Sequence, residues 1–229
     1  MPRPPKRIDR PASRARDPWL AGSDHLRSVD PAMGRLIDRV GPCDLRPRRD
    51  RFGMLVRSIV AQQISTKAAA AINSRVLTLM GGTSTPEALL ALQPVQLQAA
   101  GVSRTKAAYL LNLAEAVGSG HVPLSQFGRW DDDAIIARLT TVKGIGVWTA
   151  EMFLIFALNR PDVLPVGDLG IRSGLRDWHG LADVPAPKHC HALAEPWRPF
   201  RTLACWYLWR SRDTGVNVTR PETDASPTS

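Results

Sequence analysis

The sequence predicts an all-α fold, and three observations carry that prediction. Apolar residues recur at three- and four-residue spacing from Phe52 onwards. No segment alternates apolar and polar residues for long enough to make a convincing strand. Glycine and proline fall where the helical pattern breaks. Phe52, Leu55, Val56, Ile59 and Val60 open the pattern, and Ser65 is placed to cap a second helix carrying Ile72, Val76 and Leu79. Gly81-Gly82 stops it. Thr85-Pro86-Glu87 reads as a cap followed by proline at the first helical position, leading into residues 88–92. Residues 97–101 and 105–117 continue the pattern, the latter closing at Gly118. Asp131 to Asp133 place negative charge at the start of residues 134–139, where a helix dipole favours it. Further helices are expected over 148–159, closed by Pro161, and over 169–178, 188–194 and 201–210.

The chain has 229 residues, 44% of them hydrophobic, which is enough to build a core and excludes wholesale disorder. The longest uninterrupted apolar stretch, 152–158, is too short to span a bilayer, and the first sixteen residues lack the apolar segment of a secretory leader. A soluble protein of a reducing compartment is expected, cytoplasmic and, in a bacterium, associated with the nucleoid. Cys43, Cys190 and Cys205 are an odd, scattered set, which argues against a disulfide framework or a paired-cysteine zinc site.

The formal charge is +9, a weak pointer to nucleic acid. Residues 1–16 hold six basic groups against Asp9, a net of +5, which leaves +4 for the remainder. This Pro-rich stretch reads as a disordered basic arm, and the polar residues 213–229 as a disordered tail. Between them we expect two interlocked helical subdomains with the active-site cleft between them. One is discontinuous, 17–50 plus 161–212, and holds the N- and C-terminal helices. The other, 51–160, holds a helix-hairpin-helix motif.

The informative stretch is Thr141-Val-Lys-Gly-Ile-Gly-Val-Trp-Thr-Ala-Glu151. Two glycines around one isoleucine make a tight turn that lets a backbone approach another molecule. Its amides, at a helix N-terminus, suit a phosphate. The same four residues also suit an ordinary helix corner with glycine past the helix end. Twenty positions beyond Trp148, in Leu164-Pro-Val-Gly-Asp-Leu-Gly170, stands a lone carboxylate, Asp168, at the entrance of the next helix. Aspartate is a preferred N-cap and often nothing more. A carboxylate held there can also stabilise positive charge developing on a sugar.

These residues resemble the helix-hairpin-helix (HhH-GPD) DNA glycosylases, and within them the 3-methyladenine DNA glycosylase II, or alkylbase, type. The resemblance covers about residues 19–212. It rests on Leu55-Val-Arg-Ser-Ile-Val-Ala-Gln-Gln-Ile-Ser65, Val142-Lys-Gly-Ile-Gly-Val-Trp-Thr-Ala150, Leu164-Pro-Val-Gly-Asp168, and Trp197-Arg-Pro-Phe-Arg201 with Trp206-Tyr-Leu-Trp209. It implies that Asp168 is the catalytic aspartate. It implies that Lys143, Gly144, Ile145, Gly146 and Thr149 hold the phosphate backbone, with a monovalent Na+ or K+ at carbonyls near Val142 and Ile145. Gln63 falls on the position that wedges into the gap left by a flipped nucleotide, where an apolar residue is common in the alkylbase branch. Gln62 and Ser65 join the DNA-contacting set, although for Gln62 a satisfied amide at a helix end is an equal reading. Trp148, Met152 and Trp209 fall on the substrate pocket.

Departures from the wider superfamily matter too. Its bifunctional members carry a Schiff-base lysine where this chain has Trp148, and tryptophan cannot attack the sugar carbon. Iron–sulfur members need four closely spaced cysteines, which three scattered ones do not supply. The expectation is a monomeric, monofunctional hydrolase without AP lyase activity or a cluster, acting on double-stranded DNA with a damaged base. Base release would be by flipping and hydrolysis of alkylated purines such as 3-methyladenine and 7-methylguanine. A glycosylase for uracil, a mismatch or ethenoadenine, and a non-catalytic DNA-binding relative, are the alternatives. No second acid beside Asp168 is evident. Trp19, Trp130, Trp178 and Trp197 are expected to pack, Trp206 and Tyr207 to lie in the core, and Arg201 to pair with a buried carboxylate.

Overall fold

The structure, a computed structural model, describes residues 19–215. The basic arm 1–16 lies outside them. The described chain is helical throughout, with no strand among the described residues. Its helices are α1 (Leu20–Val29), α2 (Pro31–Val40), α3 (Arg51–Ala61), α4 (Thr66–Leu79), α5 (Pro86–Leu90), α6 (Pro94–Ala99) and α7 (Arg104–Gly118). Then come α8 (Asp132–Thr140), α9 (Val147–Phe156), α10 (Leu169–His179), α11 (Pro187–Leu193) and α12 (Arg201–Thr214). Among the described residues no helix is long and apolar enough to cross a membrane.

Side-chain caps explain most of the starts. Asp30, Asp50, Ser65, Thr85, Ser103, Asp131 and Asp168 each accept from an amide of the first turn of the helix that follows. Three ends depart from the sequence expectation by three residues or more. The helix expected over 148–159 stops at Phe156, because Leu158 N–H reaches back to Phe153 O at 3.3 Å and Asn159 turns left-handed with φ 57°. The helix expected from residue 97 begins at Pro94, where Gln96 Oε1 accepts Gln93 N–H at 2.7 Å. The last helix runs on to Thr214, so Asp213 and Thr214, expected in the tail, are helical, while residues 216–229 lie outside the described set.

Packing places α3 against α4, α7 and α9, and α12 against α1, α2 and α10. Leu55, Ile59, Phe153 and Ile155 are buried in the first group, and Leu36, Leu203 and Leu208 in the second. Each such side chain contributes about 1.5–3 kcal/mol by leaving water. Polar contacts then tie segments distant in sequence to one another. Tyr207 Oη donates to Gly41 O at 3.0 Å, and Thr202 Oγ1 accepts Val163 N–H at 2.9 Å while donating to Arg160 O at 2.7 Å. Buried Asp30 accepts the indole N–H groups of Trp178 and Trp197 at 3.0 and 3.1 Å. Arg201 meets the carboxylate of Asp162 through Nε at 2.6 Å and Nη2 at 3.0 Å. The bonds of Thr202 and Arg201 hold residues 160–163, and hence the segment leading to Asp168, against α12.

Candidate active site

The turn between α8 and α9 is built from inside outwards. Val142 and Ile145 are buried, and Ile145 N–H donates to Val142 O at 3.0 Å, closing the turn. Gly144 has φ +102°, and a Cβ there would lie 2.3 Å from Tyr109 Cγ, so neither the backbone nor the space admits another residue. Gly146 is different: nothing lies within 4 Å of where its Cβ would be. Its bareness keeps the surface open rather than relieving a clash. No side chain caps α9 at Gly146, so the first-turn amides have no side-chain acceptor. Lys143 is exposed beside them.

Trp148, in the first turn of α9, is 40% exposed and turns its indole towards α10. Its Nε1–H donates to Asp168 Oδ2 at 2.9 Å, and Trp209 Nε1–H from α12 donates to Oδ1 at 3.1 Å. Oδ1 also accepts Ile171 N–H at 2.9 Å, the N-cap bond of α10. Three helices thus converge on one half-buried carboxylate, and both of its oxygens are occupied by N–H donors. Gly170 makes room for this, since a Cβ there would come to 2.9 Å from Asp168 Oδ1 and 3.4 Å from Trp209 Nε1. Trp209 also stacks on Phe156, with ring centroids 5.9 Å apart.

Beside this centre lies a cleft of about 780 Å³ whose lining includes Gln62, Gln63, Trp148, Met152, Phe156 and Arg48. Trp148 therefore joins cleft and carboxylate: its ring lines one and its N–H holds the other. Gln63 is exposed at the cleft edge in the left-handed region, with φ 57°. Ser65 is exposed and caps α4 by accepting Ala68 N–H at 3.3 Å. Gln62 is turned inward, and its Nε2 donates to Gly144 O at 3.0 Å.

The sequence expectation needs correcting at two places. Thr149, placed in the DNA-contacting set, is only 3% exposed, because its position in the first turn of α9 faces the core. A second carboxylate, judged absent, is present: Glu151 lies one turn after Trp148 on α9. Burial, and then the negative charge of Asp168, push its carboxyl up to about 7. The signal was a single acid inside the run Val147–Phe156, which is apolar but for Thr149. Phe156 and Gly170 were also missed, because each meets Trp209, which is distant in sequence.

Among the carbonyls of the turn, Gly144 O accepts from Gln62, Gly146 O from Ala150 N–H and Val142 O from Ile145 N–H. A carbonyl that accepts one bond keeps a second lone pair, so Val142 O retains one beyond its bond to Ile145 N–H.

The chain is similar to several known proteins. A Schizosaccharomyces pombe protein named DNA-3-methyladenine glycosylase 1 is 39% identical over 195 residues, covering 82% of this chain and 85% of that one. A solved Schizosaccharomyces pombe 3-methyladenine DNA glycosylase in complex with abasic DNA superposes with TM-score 0.76 at 38% identity, covering 85% of this chain and 97% of that one. The crystal structure of a DNA-3-methyladenine glycosidase from Bacillus halodurans gives TM-score 0.77 at 36% identity, over 87% of this chain and 92% of that one. The family model described as HhH-GPD superfamily base excision DNA repair protein matches residues 56–199, from α3 to the residue pair before α12. This chain belongs to that superfamily.

Proposed function

We propose that the chain is a monofunctional DNA glycosylase of base excision repair, which extrudes alkylated purines from double-stranded DNA and hydrolyses the glycosidic bond. The observation that carries this reading is the bond from Trp148 to Asp168. At the hairpin exit the chain presents an indole that holds the carboxylate, with no amine to form a covalent link to the sugar.

Extruding a base costs about a few kcal/mol, less where damage has weakened its stacking and pairing. The open amides after Gly146, with Lys143, seat the phosphate backbone while Gln63 enters the gap. A cation bound at Val142 O and Ile145 O would add positive charge beside that phosphate. An alkylated purine is cationic, and the faces of Trp148 and Phe156 attract it by about 0.5–2 kcal/mol. The C1′–N bond then breaks, with its electron pair passing to the base, which leaves neutral. Asp168 stabilises the oxocarbenium-like sugar that remains. Water adds to C1′ and releases a proton to solvent. The leaving group needs no protonation, so one carboxylate suffices.

A panel of duplexes carrying 3-methyladenine, 7-methylguanine, ethenoadenine, hypoxanthine or uracil tests the reading. Release of the methylated purines, absent in Asp168→Asn, is expected. Turnover retained in Asp168→Asn, or no release of any alkylated purine by the wild type, overturns it. Strand cleavage without added base would refute the monofunctional assignment.

A further inference from the structure

Gln62 lies where three elements meet. Its Nε2 bonds Gly144 O in the hairpin at 3.0 Å, and its backbone O accepts from Lys106 Nζ of α7. Lys106 Nζ also donates to Val60 O at 2.8 Å, and desolvation of this ammonium lowers its pKa. One turn along the same helix stands Tyr109, the ring against which Gly144 lies. Helix α7 therefore braces the end of α3 with one residue and the hairpin with the other, and Gln62 closes the triangle. The next residue, Gln63, holds a left-handed conformation with φ 57°. A non-glycine residue stays there only when its surroundings enforce it. The bonds on Gln62 fix the residue that precedes it.

Resting on the reading that the chain extrudes a base from DNA, we infer that Gln62 is a positioning residue which couples the hairpin to Gln63. Seating a phosphate on the turn then sets Gln63 at the gap through the bond from Gln62 Nε2 to Gly144 O. Gln62 itself contacts no DNA in this role. It also explains why two adjacent glutamines lining one cleft differ, Gln62 half-buried and bonded to the hairpin, Gln63 exposed.

The test is a double-mutant cycle of Gln62→Met and Gln63→Ala in the full chain. Methionine keeps the length of glutamine and removes the donor. The readouts are affinity for undamaged duplex and the fluorescence of 2-aminopurine beside a tetrahydrofuran abasic analogue, which reports extrusion without glycosidic chemistry. Gln62→Met should leave undamaged-DNA affinity within about twofold and reduce the fluorescence change at least about fivefold, and Gln63→Ala should reduce it as much. The double variant should be no worse than either single one. Additive losses, a parallel fall in undamaged-DNA affinity, or a neutral Gln63→Ala would each overturn the coupling. If the wild type releases no alkylated purine, the functional reading fails, while the fluorescence cycle still decides the coupling.

Discussion

Asp168 repeats at the surface an arrangement that Asp30 makes in the core. Each caps a helix through Oδ1, and each takes the N–H groups of two tryptophans from other helices. Asp30 is 4% exposed, whereas Asp168 is half-buried beside an open cleft. This difference in solvent access supports the chemical role proposed for Asp168 and a structural one for Asp30. Asp30→Asn should cost about 2–4 kcal/mol of stability, because an amide leaves buried donors unpaired. Asp168→Asn should leave stability within about 1 kcal/mol and lower single-turnover release about a hundredfold or more. Urea titration and base-release kinetics on both variants separate the two.

Trp148→Phe keeps an aromatic wall and removes the donor to Asp168. Release at saturating enzyme should fall about tenfold, with lesion-DNA affinity within about threefold. Trp148→Ala, which also removes the ring, should lose affinity as well. Equal rates for Trp148→Phe and wild type would show that the indole N–H is idle.

The two hairpin glycines should fail in different ways. Gly144→Ala meets Tyr109 at 2.3 Å in a left-handed conformation and should destabilise the fold by about 2 kcal/mol or more. Gly146→Ala has open space around it and should leave the melting temperature unchanged. It should nonetheless weaken DNA binding severalfold by obstructing the phosphate approach. Thermal unfolding and a binding isotherm at one salt concentration check the pair.

Glu151 sets a pH dependence whose sign follows from linkage. Its carboxyl is raised from 4.5 to about 7 in the folded protein, so the folded state binds more protons than the unfolded chain between these values. Stability is therefore lost as pH rises through that window, and the loss is complete above about 7. Glu151→Gln should flatten this fall relative to wild type in melting curves from about pH 5 to about pH 8. A wild-type slope unchanged by the substitution would remove Glu151 from the account.

Much of the fold was legible because its determinants are local. Ser65, Thr85 and Asp131 stand at helix starts, and the apolar spacing around Phe52 to Val60 belongs to α3 itself. The missed ends, at Phe156 and Thr214, depend on a left-handed Asn159 and on how far α12 can pack, which no cap signal announces. At the site, Asp168 and the glycine turn were legible as motifs. That Trp148 and Trp209 bind opposite oxygens of one carboxylate was not, since the contacts cross 20 and 41 residues.

By itself the sequence determined the helical class, the hairpin and a single candidate carboxylate, because spacing, capping chemistry and glycine placement act over a few residues. Only the tertiary structure decided that Gln62 bonds the hairpin while Gln63 stays exposed at the cleft, that Thr149 is buried, and that burial and the charge of Asp168 hold the Glu151 carboxyl well above its ordinary value. Those outcomes depend on which helices meet and on how much water their meeting excludes, and neither is written in any one segment.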